Sequence, residues 1–321
     1  MALRSCHFLF RPQSFSYKVN LVFKVLRSSA VALIALLSML NAVPAFTIVA
    51  GESSEAKELT LVVMDPMAAP LACDCVKGYA QRKYESLGAF LNNQLGCKIN
   101  VVWAESLEAA LEKSEGKVDL IIGKHSVVLS DAADSKIEIT PMAQLTDLKD
   151  RVVQTGLIVV RKDDAAKSVD DLKGYRILFG PADCDEKSAA PVELLRKHGI
   201  QLPDELETSP SCSNAAVALM EMPATAKAAA VISSYAEPLL EGCGKVKKGD
   251  LRVIGESKPV PFITLFARTS LSATELSKLS DALDEAGVDA QLLIDLETAS
   301  GFVPWKEAVA TSSVVDDAKK K

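Results

Sequence analysis

Leu157-Ile-Val-Val-Arg-Lys-Asp163, followed by Val169-Asp-Asp-Leu-Lys-Gly-Tyr-Arg-Ile-Leu-Phe-Gly180, decides the fold class. The first run reads as a short apolar strand ending in charge. The second reads as a brief helix and turn feeding the strand Tyr175–Phe179, which Gly180-Pro181 terminates. Downstream, the spacing predicts helices over Asp185–Lys197 and Ser213–Met222, a strand over Ala229–Ile232, a short helix over Tyr235–Leu240 and a strand over Leu251–Ile254. Upstream the same order occurs. Leu59–Met64 is a strand stopped by Asp65-Pro66, and apolar positions from Val76 to Leu95 predict a helix over Cys75–Leu95 closed by Gly96. A strand at Ile99–Trp103, a helix at Glu105–Glu115, the strand Val118–Ile122 ended by Gly123 and a short helix at His125–Ala133 follow. A strand at Pro261–Arg268 and helices at Ser272–Ala286 and Asp289–Thr298 finish the series. Strands alternating with helices across short connections predict an α/β protein with mostly parallel sheets covered by helices on both faces.

The 321 residues are 49% apolar and 24% charged, an ordinary globular composition long enough for two lobes. With 36 basic and 42 acidic residues there is no basic stripe to neutralise phosphates, which excludes nucleic acid as the expected partner. Five of the basic residues (Arg4, Arg11, Lys18, Lys24, Arg27) and none of the acidic ones lie before position 51. That basic start, the apolar stretch Ala30–Leu40 and the small residues of Asn41-Ala-Val-Pro-Ala45 predict a signal peptide within residues 1–50, and with it a periplasmic protein. A retained membrane anchor is the alternative, weakened by Ser38, Asn41 and Pro44. The polar tail 311–321 is expected to be disordered.

The order of segments resembles the periplasmic solute-binding proteins of ABC importers, specifically the phosphonate-binding type. The likeness rests on Tyr84-Glu-Ser-Leu-Gly-Ala-Phe-Leu91, Gly116-Lys-Val-Asp-Leu-Ile-Ile-Gly123, the pair quoted above, His198-Gly-Ile200 and Gly255-Glu-Ser-Lys-Pro-Val-Pro261, and it spans about residues 58–300. The resemblance implies a type II two-lobed fold in which two crossover strands join a lobe of residues 58–153 plus 262–305 to a lobe of 154–261. It further implies a monomer that captures a small molecule in the interlobe cleft and delivers it to an ABC permease in the inner membrane, with no cofactor and no catalysis.

In open α/β sheets, ligands meet the carboxyl ends of strands and the amino ends of the helices that follow. The expected ligand shell is therefore Asp65, Gly123, Lys124, His125, Ser126, Thr155, Gly156, Asp183, Cys184, Asp185, Ser188, Ser213, Asn214, Ser233 and Tyr235. Where phosphonate binders carry a Ser-Thr-Ser-Gly-like segment, this chain has Asp183-Cys-Asp-Glu186. Carboxylates there serve a helix start but repel a phosphonate, so a different ligand is expected.

Six of the seven cysteines follow the export segment: Cys73, Cys75, Cys97, Cys184, Cys212 and Cys243. An oxidising compartment makes disulfides the ordinary reading, with Cys184–Cys212 the first candidate pair. The alternative gathers Cys73, Cys75, Cys184, Cys212, His125, Met64 and Met67 into a soft copper or zinc site. No nucleophile elbow, P-loop, His-Glu-x-x-His pair or dinucleotide fingerprint is present. The strongest enzymatic reading would be a transferase using Cys73, Cys75 or Cys184 with His125 as base.

Overall fold

The computed structural model describes residues 57–73, 77–78, 80–210 and 214–306. The predicted signal peptide, Cys75, Cys212, Ser213 and the tail from 307 on lie outside them.

Strand β1 (Glu58–Met64) leads through a long loop to α1 (Tyr84–Leu95), β2 (Lys98–Trp103), α2 (Leu107–Lys113), β3 (Leu120–Lys124), α3 (His125–Asp134) and β4 (Ile139–Leu145). A two-residue strand β5 (Val153–Gln154) then opens the second series: β6 (Gly156–Arg161), β7 (Arg176–Leu178), α4 (Ala189–Lys197), α5 (Asn214–Glu221), β8 (Ala228–Ser233), α6 (Ala236–Gly242) and β9 (Leu251–Glu256). The chain returns through β10 (Val260–Pro261) to β11 (Ile263–Arg268), α7 (Ala273–Ala286), α8 (Ala290–Asp295) and β12 (Phe302–Pro304).

One sheet has the order β12-β4-β11-β3-β1-β2 and the other β7-β8-β6-β9. Between them the chain crosses twice, at β5 and β10, which pair antiparallel (Val260 opposite Gln154). Both sheets are mixed rather than mostly parallel. Pairs β1·β2, β1·β3 and β7·β8 are parallel, but the strands entering from the crossovers, β11 and β6, run antiparallel to both of their neighbours.

Alternation along each strand builds the core on both faces. In the first sheet Leu61, Val63, Leu120 and Leu265 face Leu87, Leu91, Leu279 and Leu283 of α1 and α7. On the opposite face Val62, Ile121 and Phe266 meet Leu107 and Val128. In the second sheet Ile158, Val160, Phe179 and Val231 pack beneath Leu195 of α4. Ser272 and Glu275 form a capping box that starts α7, and Asp289 caps α8.

Three departures from expectation have local causes. First, α1 begins at Tyr84 rather than Cys75, because the start of the loop after β1 is tied to its end by the bridge Ala68–Arg82 and the bond from Ala69 N to Arg82 O (2.8 Å). Second, the helix expected from Asp185 is split. Asp185–Lys187 is a 3-10 turn, and Ser188 (φ −132°, ψ −86°) breaks it from α4. Third, β4 carries Pro141 inside a strand, tolerated where the register with β11 shifts between Leu265 and Phe266.

Candidate functional site

The carboxyl ends of β1, β3 and β8 and the loop after β7 converge where the two sheets face each other. Lys124, the last residue of β3, reaches the 3-10 turn of the other half, with Nζ 2.6 Å from Glu186 Oε1. Ser233, the last residue of β8, donates its hydroxyl to the same oxygen at 2.7 Å. Cys184 Sγ lies 3.8 Å from Lys124 Nζ, and the Tyr235 ring centroid 5.4 Å away. The two side chains are 6% and 1% exposed, so this is a buried ion pair between the sheets. Desolvation opposes the Lys124 ammonium, but Glu186, Tyr235 and Cys184 together outweigh it and hold its pKa well above the ordinary lysine value. Desolvation likewise works against the Glu186 carboxylate, yet Lys124, Lys187 and the Ser233 hydroxyl bring its pKa below the ordinary value.

A second tie runs beside the first. Ser126 Oγ, in the first turn of α3, donates to Asp183 O (2.7 Å) and accepts from Asp185 N (3.1 Å). The acidic run is thus not a set of helix caps, and neither Cys184 nor Ser188 makes a side-chain cap bond. It is the segment through which one half grips the other.

Next to this grip lies a cavity of about 390 Å³, within the range of small-molecule sites. Met64, Pro66, Met67, Leu71, Cys73, Glu105, Lys124 and Val127 wall it from the first sheet's side. Pro181, Asp183, Cys184, Lys187, Pro210 and Tyr235 wall it from the other. The Tyr235 ring is held by stacking on Phe262, with centroids 5.3 Å apart.

Of the residues expected at a ligand, Lys124, Asp183, Cys184 and Tyr235 line this cavity, while Ser126, Asp185 and Ser233 build the grip beside it. Asp65 is placed elsewhere. It is fully buried, and its carboxylate is taken by Arg82 Nη1 (2.8 Å), Tyr84 OH (2.6 Å) and Met67 N (2.9 Å). Burial and Asp65 push the Tyr84 phenol well above its ordinary pKa. Arg82 Nε also bonds Leu296 O, so the group is a structural tie across the first sheet's loops. His125 points away from the cavity too. Its ring stacks on Trp305 (4.5 Å), lies 5.3 Å from Phe266 and meets Thr264 Oγ1 through Nδ1 (3.2 Å), and burial lowers its pKa to about 4.

Gly123 and Gly156 contribute space rather than contacts. A Cβ on Gly123 would meet Val128 Cγ2 at 2.9 Å, and one on Gly156 would lie 1.9 Å from Glu186 O. Gly156 therefore lets the turn that bears Glu186 sit against β6. Thr155 bonds the exposed Glu256 through its hydroxyl (2.7 Å), Ser188 is buried at the break before α4, and Asn214 is exposed at the start of α5. Sequence reasoning left out Glu105, Leu71 and Val127, and it read Glu186 and Lys187 as part of a helix start at the cleft without pairing Glu186 with Lys124. For Glu186 a signal existed: a lysine closing a buried strand needs a counter-ion, and the acidic run was the nearest candidate.

Cys73, Cys97, Cys184 and Cys243 are free thiols; Cys212, the expected partner of Cys184, lies outside the described residues, and Cys184 is turned to Lys124. Burial pushes the Cys184 thiol above its ordinary pKa, the opposite of an activated nucleophile. The soft-metal alternative is not supported, and two of its cysteines, Cys75 and Cys212, lie outside the described residues. His125, its only imidazole, is committed to Thr264 and Trp305, and among the described residues no group of three His, Cys, Asp or Glu side chains is placed to hold a metal. Among the described residues no helix is long and apolar enough to cross a membrane.

Comparison with known proteins agrees with this architecture. No curated protein sequence matches the chain. Solved structures do. A Xanthomonas citri protein bound to ATP shares 16% identity, with 78% of this chain and 91% of that one covered and a TM-score of 0.59. A binding protein component of an ABC phosphonate transporter from Pseudomonas aeruginosa gives 18%, 78%, 82% and 0.58. PhnD1 from Prochlorococcus marinus, in complex with methylphosphonate, gives 15%, 78%, 93% and 0.57. At such identities the likeness establishes the fold, that of type II periplasmic binding proteins. The family model described as "ABC transporter, phosphonate, periplasmic substrate-binding protein" matches residues 78–309, most of the chain, and to that family of periplasmic substrate-binding components of ABC transporters the chain belongs.

Proposed function

We propose that this receptor captures its ligand in the cavity between the two sheets and hands it to an inner-membrane permease, without chemistry of its own. The observation that carries this reading is the cavity itself: about 390 Å³, walled from both halves, with Glu105, Lys124, Asp183, Lys187 and Tyr235 among its polar positions. On this reading the lobes are residues 58–153 plus 262–305 and residues 154–261. Strands β5 and β10 form the hinge about which the lobes close. Residues 1–50 direct export and are removed, and the mature protein acts as a monomer.

The ligand is not a simple phosphonate. Fold relatives hold molecules as different as ATP and methylphosphonate, so the architecture leaves the ligand open. What argues against phosphonate here is the acidic run 183–186 at the cleft and the apolar, sulfur-rich wall of Met64, Met67, Leu71 and Cys73. The test is native mass spectrometry of protein drawn from the periplasm without denaturation. A co-purified small molecule, lost in the Tyr235→Ala and Asp183→Ala variants, is the expected result. A molecule retained by both folded variants would place capture elsewhere.

A further inference from the structure

We infer that Glu186 is the specificity-determining residue of the cavity: a carboxylate supplied by the protein itself takes the position at which a ligand anion would meet Lys124, so the site accepts neutral or cationic molecules. This inference rests on the reading that the cavity is the capture site, and it adds the class of ligand.

Three observations carry it. Glu186 Oε1 accepts from two donors at strand ends on opposite sides of the cleft, Lys124 Nζ at 2.6 Å and Ser233 Oγ at 2.7 Å. Strand-end donors of this kind are what an anionic ligand uses in open α/β sheets. The turn that bears the carboxylate is also held in place by close backbone packing. The Glu186 carbonyl sits where any side chain at 156 would intrude, and Lys187, next along the turn, packs over Gly180, where a Cβ would come within 2.6 Å. The backbone that carries Glu186 is thereby fixed, and its side chain is 1% exposed. Finally, the charge count favours cations. The wall carries Lys124 and Lys187 against Glu105 and Asp183, and Glu186 behind Lys124 tips the balance to acid. A phosphonate or phosphate entering the cavity would meet a lysine whose charge is already matched.

The experiment compares wild type with Glu186→Gln, which keeps the shape and the acceptor oxygen but removes the charge. The probes are inorganic phosphate and methylphosphonate, read by calorimetry and by the shift in melting temperature. Wild type should bind neither probe more tightly than the millimolar range. Glu186→Gln should bind at least one about 100-fold more tightly than wild type and be stabilised by it, and Lys124→Gln in the same background should abolish the gain. Should Glu186→Gln fail to fold, Glu186→Asp withdraws the carboxylate by one methylene and should show a smaller gain, about tenfold. Submillimolar binding of either anion by wild type overturns the inference while leaving capture intact. A folded variant that gains nothing also overturns it. Failure of the capture reading shows separately, as periplasmic protein whose native mass spectrum lacks a co-purified ligand.

Discussion

Breaking the Lys124–Glu186 pair from either side should cost more than erasing it. At 2.6 Å and an effective dielectric of about 20, the attraction amounts to roughly 6 kcal/mol, set against a desolvation penalty of several kcal/mol per ion. Removing one partner therefore leaves the penalty without its compensation. Glu186→Gln strands an ammonium, which can escape by losing its proton; from an ordinary pKa near 10.4 this caps the cost at about 4.6 kcal/mol at pH 7. Lys124→Met strands a carboxylate, which can take up a proton, for a cap of about 3.7 kcal/mol. The single variants should each lose about 3–4 kcal/mol, and Lys124→Met with Glu186→Leu should fall within about 1 kcal/mol of wild type. Urea unfolding at pH 7 measures all four proteins. Acid adds a signature: the folded pKa of Glu186 is lowered, so its contribution is complete above the ordinary glutamate value and is lost as pH falls through the folded one. Lys124, with its pKa raised, contributes fully below the ordinary lysine value and loses that contribution as pH rises from there through the folded one. Additive single and double losses, or a single loss below about 1 kcal/mol, would refute a desolvated, coupled pair.

Arg82→Met should destabilise by about 3–5 kcal/mol through the stranded Asp65 carboxylate, and Arg82→Met with Asp65→Asn should recover part of that loss in the same urea assay. Gly156→Ala must push the turn bearing Glu186 away from β6, lowering the melting temperature by an amount worth about 1–3 kcal/mol and weakening ligand capture. A proton titration by NMR should find His125 near pH 4; because its folded pKa lies below the ordinary 6.5, stability is complete above that value and declines as pH falls toward 4, a slope that His125→Asn should flatten.

Strands β1, β3, β6 and β8 were readable because each holds a short, mostly apolar run with a polar, charged or glycine residue at its end, although β3 continues through Gly123 to Lys124. The helices were readable from their three-and-four spacing. Strand β4 was not, since Pro141 and Gln144 interrupt a run that only the neighbours β11 and β12 make a strand. The apolar spacing also continued into the loop before Tyr84, where a partner 17 positions away outweighs helix propensity: Arg82 is fixed by Asp65. Cavity-lining positions such as Lys124, Asp183 and Tyr235 followed from the rule of strand ends. What the rule could not tell is which polar residues had already found partners. Asp65 and His125 read as candidates like the others, and only long-range packing commits them to Arg82 and Trp305. Glu186 joined Lys124 across 62 positions, a distance over which no local pattern speaks.

The interrupted path of the chain sets an order of assembly. The second sheet draws every strand from residues 156–256 and can finish as soon as that stretch is available. The first cannot. Strands β3 and β4 are separated by β11, which the ribosome makes more than a hundred residues later, so residues 58–145 wait with open edges until the last third of the chain arrives to fill the gap. Pulsed hydrogen exchange should find β6 and β8 protected before β3 and β4, and any chaperone that escorts this protein has its work concentrated on the half that is synthesised first and completed last.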